Sequence, residues 1–215
     1  MEIKLTGILS TWKKSGVIMQ ALNISEKNKV FVWTPAHTAS RLSWKIFDNF
    51  EFSSYDVMNG GVLLKNSFEH NHYIGLPKNH LDYKLILTCR NPYTQSTSCY
   101  DGMFPKKVQE GFEIGLESRF QEKYHFNFIS LLKYRKPDYF IRVENLLEDY
   151  LKIPFIRESE LYKSGELEKL MNKNPFKEKV YYHRPVLDKR LADLIYYNFS
   201  YYFDLVDYDR NSWKK

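Results

Sequence analysis

The chain contains few cysteines, glycines and prolines. Its 215 residues include two Cys, nine Gly and eight Pro. Two cysteines cannot build a disulfide framework, and Cys89 and Cys99 do not have the spacing of metal ligands. The low glycine and proline content disfavours fibrous and disordered chains. An ordinary globular protein remains, and its cysteine content is compatible with a reducing compartment.

Long apolar runs are also missing. In residues 1–23 the apolar positions are interrupted by Lys4, Lys13, Lys14 and Gln20, which excludes a clean signal peptide and a membrane span there. The phosphate-binding pattern Gly-x-x-x-x-Gly-Lys-Ser/Thr is absent as well, which disfavours ATPases and nucleotide kinases. We therefore expect a cytoplasmic protein without a membrane span.

Basic and aromatic residues are abundant. Lys and Arg total 32 against 26 Asp and Glu, giving a net charge of +6, and aromatic residues make up 17% of the chain. The basic surplus indicates an anionic partner, which could be a small polyanion, a nucleic acid or an anionic surface. The aromatic rings could fill a core, stack on bases or line a sugar groove.

Strand patterns alternate with helix patterns along the chain. Such alternation is typical of an α/β domain in which helices in two outer layers flank a central, largely parallel sheet, and we expect one domain over residues 1–215. The predicted strands are residues 29–35, 84–89 and 138–143, and the predicted helices include 41–47, 106–134 and a terminal helix with Leu187, Leu191, Leu194 and Ile195 at helical spacing.

Two of the predicted strand ends carry groups that could bind an anion. After the first strand, Thr38 and Ser40 could donate hydroxyl hydrogen bonds and Arg41 could add charge beside a helix start. After the second strand, Arg90 lies where ligands bind in open α/β sheets, and Ser98 follows in the next helix. Each feature also has a purely structural interpretation. The first turn could be a plain strand-to-helix connection, Arg90 could form a surface ion pair, and Ser98 could make a routine helix contact.

Two histidines could provide proton transfer. His70 and His72 precede the second strand, and an imidazole that titrates near neutrality is a natural general base for a hydroxyl group. A histidine pair in a loop can equally be a surface feature. No carboxylate or cysteine cluster supplies further ligands, so no metal site is predicted.

Together and in this order, the segments resemble the carbohydrate-type sulfotransferases that use 3′-phosphoadenosine 5′-phosphosulfate (PAPS). The similarity extends from about residue 30 to 208, and the element from Arg90 to Tyr100, similar to Arg-Asn/Asp-Pro-Tyr-x-x-x-x-Ser-x-Tyr, is its most specific part. The other matching segments are the donor loop within residues 30–42, an Arg-x-Glu-Asn-Leu strand end within 139–146, and a terminal segment at 203–208.

The resemblance implies a P-loop-like fold and a set of site residues. It implies sulfuryl transfer from PAPS to a hydroxyl group, expected to belong to a carbohydrate, with release of the desulfated nucleotide PAP and without nucleic acid as a partner. His72, with His70 as the fallback, would be the base, as in the similar His-Gly-His segment of uronyl 2-O-sulfotransferases. Arg90 and Ser98 would bind the 3′-phosphate, and the 5′-phosphosulfate would lie on Ala36, His37, Thr38, Ala39, Ser40 and Arg41.

One departure from the family pattern concerns the donor loop. The family carries a Lys after the loop proline, whereas Ala36 and His37 follow Pro35 here. With one inserted residue, His37 takes the lysine position, and a protonated His37 or Arg41 could stabilise the leaving phosphate. Without the insertion this cation is missing, and the protein could bind the donor but react slowly. The alternative function is that of a non-catalytic nucleotide- or anionic-glycan-binding protein on a degenerate sulfotransferase fold. Residues 12–16 also resemble a donor loop, that of the cytosolic sulfotransferases, but they lack its proline.

Overall fold

A computed structural model describes most of the chain. The fold below refers to residues 22–35, 38–56, 61–64, 82–98, 105–121, 132, 135–172 and 183–214.

Six strands form one mixed sheet in the order β4-β3-β1-β2-β5-β6. β2, β5 and β6 run parallel, with Trp33 opposite Leu87 and Leu87 opposite Phe140, while β1, β3 and β4 add antiparallel pairings. The three strands predicted from the sequence are the parallel ones. The strands are β1 (Leu22–Ser25), β2 (Val30–Trp33), β3 (Ser53–Asp56), β4 (Gly61–Leu64), β5 (Lys84–Cys89) and β6 (Tyr139–Arg142).

Helices follow each of the parallel strands. The described residues contain eight α-helices, namely α1 (Ser40–Phe47), α2 (Pro92–Ser98), α3 (Pro105–Gln121), α4 (Leu146–Leu151), α5 (Pro154–Arg157), α6 (Glu160–Lys163), α7 (Glu166–Asn172) and α8 (Lys189–Val206). α8 confirms the predicted terminal helix; its start is capped by the Asp188 carboxylate, which accepts a hydrogen bond from the Leu191 N–H. α3 confirms the first part of the predicted 106–134 helix, and residues 122–131 lie outside the described part.

Side chains alternate between two hydrophobic cores, one on each face of the sheet. Along β2, Phe31 and Trp33 pack on one face with residues of α3 and α8, whereas Val30 and Val32 pack on the other with α1, α4 and α7. This alternation arises because successive residues of a strand point to opposite faces. The predicted α/β class is confirmed, with helices covering both faces. Within the described residues no helix is long and apolar enough to cross a membrane.

Parallel pairing brings three chain segments to one edge of the sheet. The carboxyl ends of β2, β5 and β6 lie side by side, so the described residues that follow them, 34–35 and 38–41, 90–91 and Val143–Asn145, share that edge. Ligands of open α/β sheets bind beyond this edge. This edge is therefore the candidate functional site.

Candidate functional site

The turn after β2 has a backbone geometry suited to anions. Ala39 lies in the left-handed region, with φ of 57° and ψ of 29°, and is the N-cap of α1. Its carbonyl accepts hydrogen bonds from the N–H groups of Leu42 and Ser43 at 2.9 and 3.0 Å. A left-handed residue beside a helical one is the backbone arrangement of an anion-binding nest, and the helix start adds partial positive charge.

Thr38 holds this turn against the neighbouring strand. Its side chain is 1% exposed, and its hydroxyl lies 2.6 Å from the carbonyl oxygen of Pro35 and 2.7 Å from the hydroxyl oxygen of Thr88 in β5. Because a hydroxyl has a single proton, Thr38 donates to Pro35 and accepts from Thr88. The Thr38 hydroxyl predicted to face a ligand thus makes its hydrogen bonds inside the protein. Ser40 is buried beside it, and Arg41 is exposed.

Arg90 leaves the end of β5 and lies along α2. Its Nε donates a hydrogen bond to the Thr94 hydroxyl at 3.2 Å, one turn into the helix. Ser98 lies one further turn along α2, where its hydroxyl donates to the Gln95 carbonyl at 2.9 Å, and both Arg90 and Ser98 are half-buried. The Arg90 side chain thus lies beside the first turn of α2, and Ser98, the residue predicted to share its ligand, is the last residue of the same helix.

Asn91 starts α2 and fixes the turn next to Arg90. Its side-chain oxygen accepts a hydrogen bond from the Tyr93 N–H at 3.0 Å, the usual bond of a helix cap. Its own N–H donates to the Glu144 carboxylate at 3.0 Å. Asn91 belongs to the recognised element from Arg90 to Tyr100 but was not predicted as a site residue, although its position between a strand end and Pro92 is a helix-start signal.

Glu144 joins the turns after β5 and β6. One carboxylate oxygen accepts from Asn91, and the other accepts from the Tyr208 hydroxyl at 3.0 Å. Burial, followed by the nearby Cys89 and Tyr202, raises the pKa of Tyr208 far above its usual range, so Tyr208 remains a protonated donor. Glu144 was part of a recognised strand-end motif, but its role as a bridge depends on tertiary contacts.

A buried ion pair anchors β6 beneath this bridge. The Asp149 carboxylate accepts hydrogen bonds from the Arg142 backbone N–H at 2.9 Å and from Nε and Nη2 of the same residue at 2.8 Å. Burial alone would raise the pKa of Asp149, but the hydrogen bonds from Arg142 and Lys152 outweigh it, and the pKa lies below its usual value. Arg142 is thereby neutralised within the protein.

Cys89, the last residue of β5, is a buried and unreactive thiol. Burial raises its pKa to about 12, so the nucleophilic thiolate is not populated near neutral pH.

Among the described residues, no group of three or more His, Cys, Asp or Glu side chains is placed to hold a metal ion. The groups at this edge that could bind an anion are the N–H groups at the start of α1 and the guanidinium groups of Arg41 and Arg90.

Six of the site residues predicted from the sequence come after the adjacent strands β2 and β5. Thr38, Ala39, Ser40 and Arg41 follow β2, Arg90 follows β5, and Ser98 is the last residue of α2. Ala36, His37, His70 and His72 lie outside the described residues.

Comparisons with protein-family models, curated proteins and solved structures found no match.

Proposed function

We propose that the protein transfers the sulfuryl group of PAPS to a hydroxyl group of an acceptor, of which a carbohydrate is the favoured class. The supporting observation is the adjacency of β2 and β5, which sets the turn at residues 38–41 beside the turn that carries Arg90. In this proposal the domain belongs to the P-loop-like class. The 5′-phosphosulfate binds at residues 36–41, and the 3′-phosphate binds Arg90 and Ser98.

Charge at the edge supports an anionic ligand. Arg41 and Arg90 supply positive charge at the two turns. The negative charge nearby, on the Glu144 carboxylate, already accepts hydrogen bonds from Asn91 and Tyr208. Two neighbouring cationic turns suit a nucleotide with phosphate groups at both ends better than a long polyanion, because only a few of the 32 basic residues are needed.

The proposed reaction is an in-line displacement at sulfur. The acceptor oxygen attacks sulfur, the bond from sulfur to the phosphate oxygen breaks, and PAP departs with the bonding electron pair. His72, or His70 in its place, takes the acceptor proton. The N–H groups at the start of α1, together with His37 or Arg41, stabilise the charge on the departing phosphate. The protein contributes mainly positioning and electrostatic stabilisation, as in phosphoryl transfer.

The test is sulfuryl transfer from radiolabelled PAPS to a panel of sugars, lipids and peptides. We expect the wild-type protein to label a sugar, and His72→Ala to reduce turnover by about 10²- to 10⁴-fold while PAP binding is retained. His183→Ala is the matched control, because His183 is exposed and far along the chain from the predicted base. Full turnover by the His72→Ala variant would assign the role of base to another group.

The absence of a lysine after Pro35 gives the same experiment a second informative outcome. If PAP binds but no acceptor is labelled, the protein is a nucleotide-binding member of a degenerate sulfotransferase fold. If instead a sulfated glycan binds, with an affinity that falls steeply with salt and does not depend on Arg90, the protein is an anionic-glycan-binding protein.

A further inference from the structure

The segment that follows α8 crosses the same edge of the sheet. We call residues 208–213 the C-terminal brace. Three of its residues contact the turn after β5 or its neighbour: Ser212 accepts from the Asn91 side-chain amide at 2.6 Å, the Arg210 carbonyl accepts from the Tyr93 hydroxyl at 2.8 Å, and Tyr208 donates to Glu144 at 3.0 Å.

Two of these contacts lead to Asn91, which is 8% exposed: Ser212 contacts it directly, and Tyr208 reaches it through Glu144. The Asn91 amide nitrogen donates to Ser212, its backbone N–H donates to Glu144, and its side-chain oxygen accepts from Tyr93. Asn91 is thus held from three directions, by the brace, by the turn after β6 and by α2. Since Arg90 is joined to Asn91 by one peptide bond, these contacts also fix the point from which the Arg90 side chain departs.

The brace is itself ordered by local and tertiary contacts. Within it, the Ser212 hydroxyl donates to the Asp209 carbonyl at 2.6 Å, and the Asn211 N–H donates to the Asp209 carboxylate at 2.8 Å. The Arg210 guanidinium lies 4.4 Å from the centre of the Tyr196 ring and 3.6 Å from the Asp193 carboxylate, both in α8. The brace is therefore held by bonds within itself and by contacts with α8.

We infer that the C-terminal brace positions Arg90 for a phosphate group and thereby determines the preference for a nucleotide that carries a 3′-phosphate. This inference rests on the proposed function. Ser212 and Tyr208 are positioning residues: Ser212 holds the Asn91 side chain directly, and Tyr208 holds the Asn91 backbone through Glu144. Displacement of Asn91 would move Arg90 away from the 3′-phosphate, while the turn at residues 38–41 would keep its hold on a 5′-phosphate.

The experiment compares two nucleotides that differ only in the 3′-phosphate. Calorimetry measures the affinities of adenosine 3′,5′-bisphosphate and adenosine 5′-monophosphate for the wild-type protein, Ser212→Ala and Tyr208→Phe. Removing one hydrogen bond should weaken bisphosphate binding by about 3- to 10-fold and change monophosphate binding by less than about twofold. Ser212→Thr keeps the hydroxyl and should restore the bisphosphate affinity.

Ser164→Ala is the matched control, because its exposed hydroxyl donates only within its own turn, to the Leu161 carbonyl at 3.4 Å. An equal loss of affinity for both nucleotides in Ser212→Ala would indicate a general structural role and overturn the inference. Unchanged affinities in both brace variants would overturn it as well. A wild-type protein that does not distinguish the two nucleotides would contradict the assignment of the 3′-phosphate to Arg90, which belongs to the proposed function, and this inference would fall with it.

Discussion

Replacing Asp149 with Asn should strongly destabilise the fold while barely changing its shape. Asp149 is 1% exposed and accepts three hydrogen bonds from Arg142 and one from Lys152 at 2.8 to 2.9 Å. The asparagine oxygen can still accept from the Arg142 backbone N–H. Both bonds from the guanidinium lose their anionic partner, and the buried counter-charge of Arg142 disappears.

The expected loss in the free energy of unfolding is about 3 kcal/mol. A hydrogen bond to a charged group is worth about 1.5 to 3 kcal/mol, and breaking a buried ion pair costs about 3 to 5 kcal/mol. The lower end applies because the Arg142 side chain is 30% exposed and water can partly replace the carboxylate. For a chain of this length, that loss lowers the thermal midpoint by about 6 to 12 °C.

The pH dependence of this difference provides a second measurement. Because the pKa of Asp149 is lower in the folded than in the unfolded chain, its carboxylate contributes stability above the ordinary Asp pKa of about 4. That contribution is lost as the pH falls through the lowered folded pKa. Thermal unfolding followed by circular dichroism should therefore give a large difference between wild type and Asp149→Asn near neutral pH and a shrinking one in strong acid.

Glu160→Gln is the control for the Asp149 measurement. Glu160 also pairs with a lysine, Lys163, at 3.3 Å, but its side chain is 89% exposed, and we expect no measurable change. A thermal midpoint of Asp149→Asn within about 2 °C of wild type near neutral pH would refute the reasoning. A difference that does not shrink in acid would refute the assignment to the carboxylate charge.

Three further predictions concern the edge of the sheet. Thr38→Val removes the 2.7 Å partner of the buried Thr88 hydroxyl, which is left with the more distant Trp33 carbonyl at 3.5 Å, and should cost about 1 to 3 kcal/mol in urea unfolding. Adding Thr88→Val should recover much of that loss, and an additive double variant would contradict the bond between the two hydroxyls. Ala39→Val should lower the free energy of unfolding by about 2 kcal/mol more than Ala39→Gly, because a β-branched side chain is strained at φ of 57°. Equal stabilities of the two variants would contradict the left-handed conformation. Burial raises the pKa of the Cys89 thiol to about 12, so in a Cys99→Ser variant this thiol should react with a disulfide-exchange reagent only after unfolding. Rapid reaction of the folded protein would contradict its burial.

Two of the three parallel strands, β2 and β5, could be predicted from the sequence because they are buried on both faces. In Lys84–Cys89 every residue after the first is buried, and Val30–Trp33 is buried throughout, so these segments are continuous apolar runs. The terminal helix was equally predictable, since Leu191 and Ile195 repeat at helical spacing and both are buried. Elements with such strong local patterns can be predicted without knowledge of their tertiary contacts.

The antiparallel half and the bridging contacts could not be predicted in the same way. Ser53–Asp56 consists mainly of small and polar residues without an apolar alternation, and its pairing with β1 is a tertiary event. Likewise, 121 residues separate Asn91 from Ser212, which makes their hydrogen bond invisible to any local pattern. The short helices between 154 and 172 were not predicted from the sequence.

The most direct test of the proposed function is the affinity of the protein for PAP with and without Arg90. Calorimetry should detect binding of PAP to the wild-type protein and a loss of at least about tenfold in Arg90→Ala, because a guanidinium contributes charge-assisted hydrogen bonds to phosphate. Arg157→Ala is the control, since Arg157 is an exposed arginine paired with Glu158 at 3.5 Å. Equal affinities of the wild-type and Arg90→Ala proteins, or no binding of PAP by either, would contradict the account.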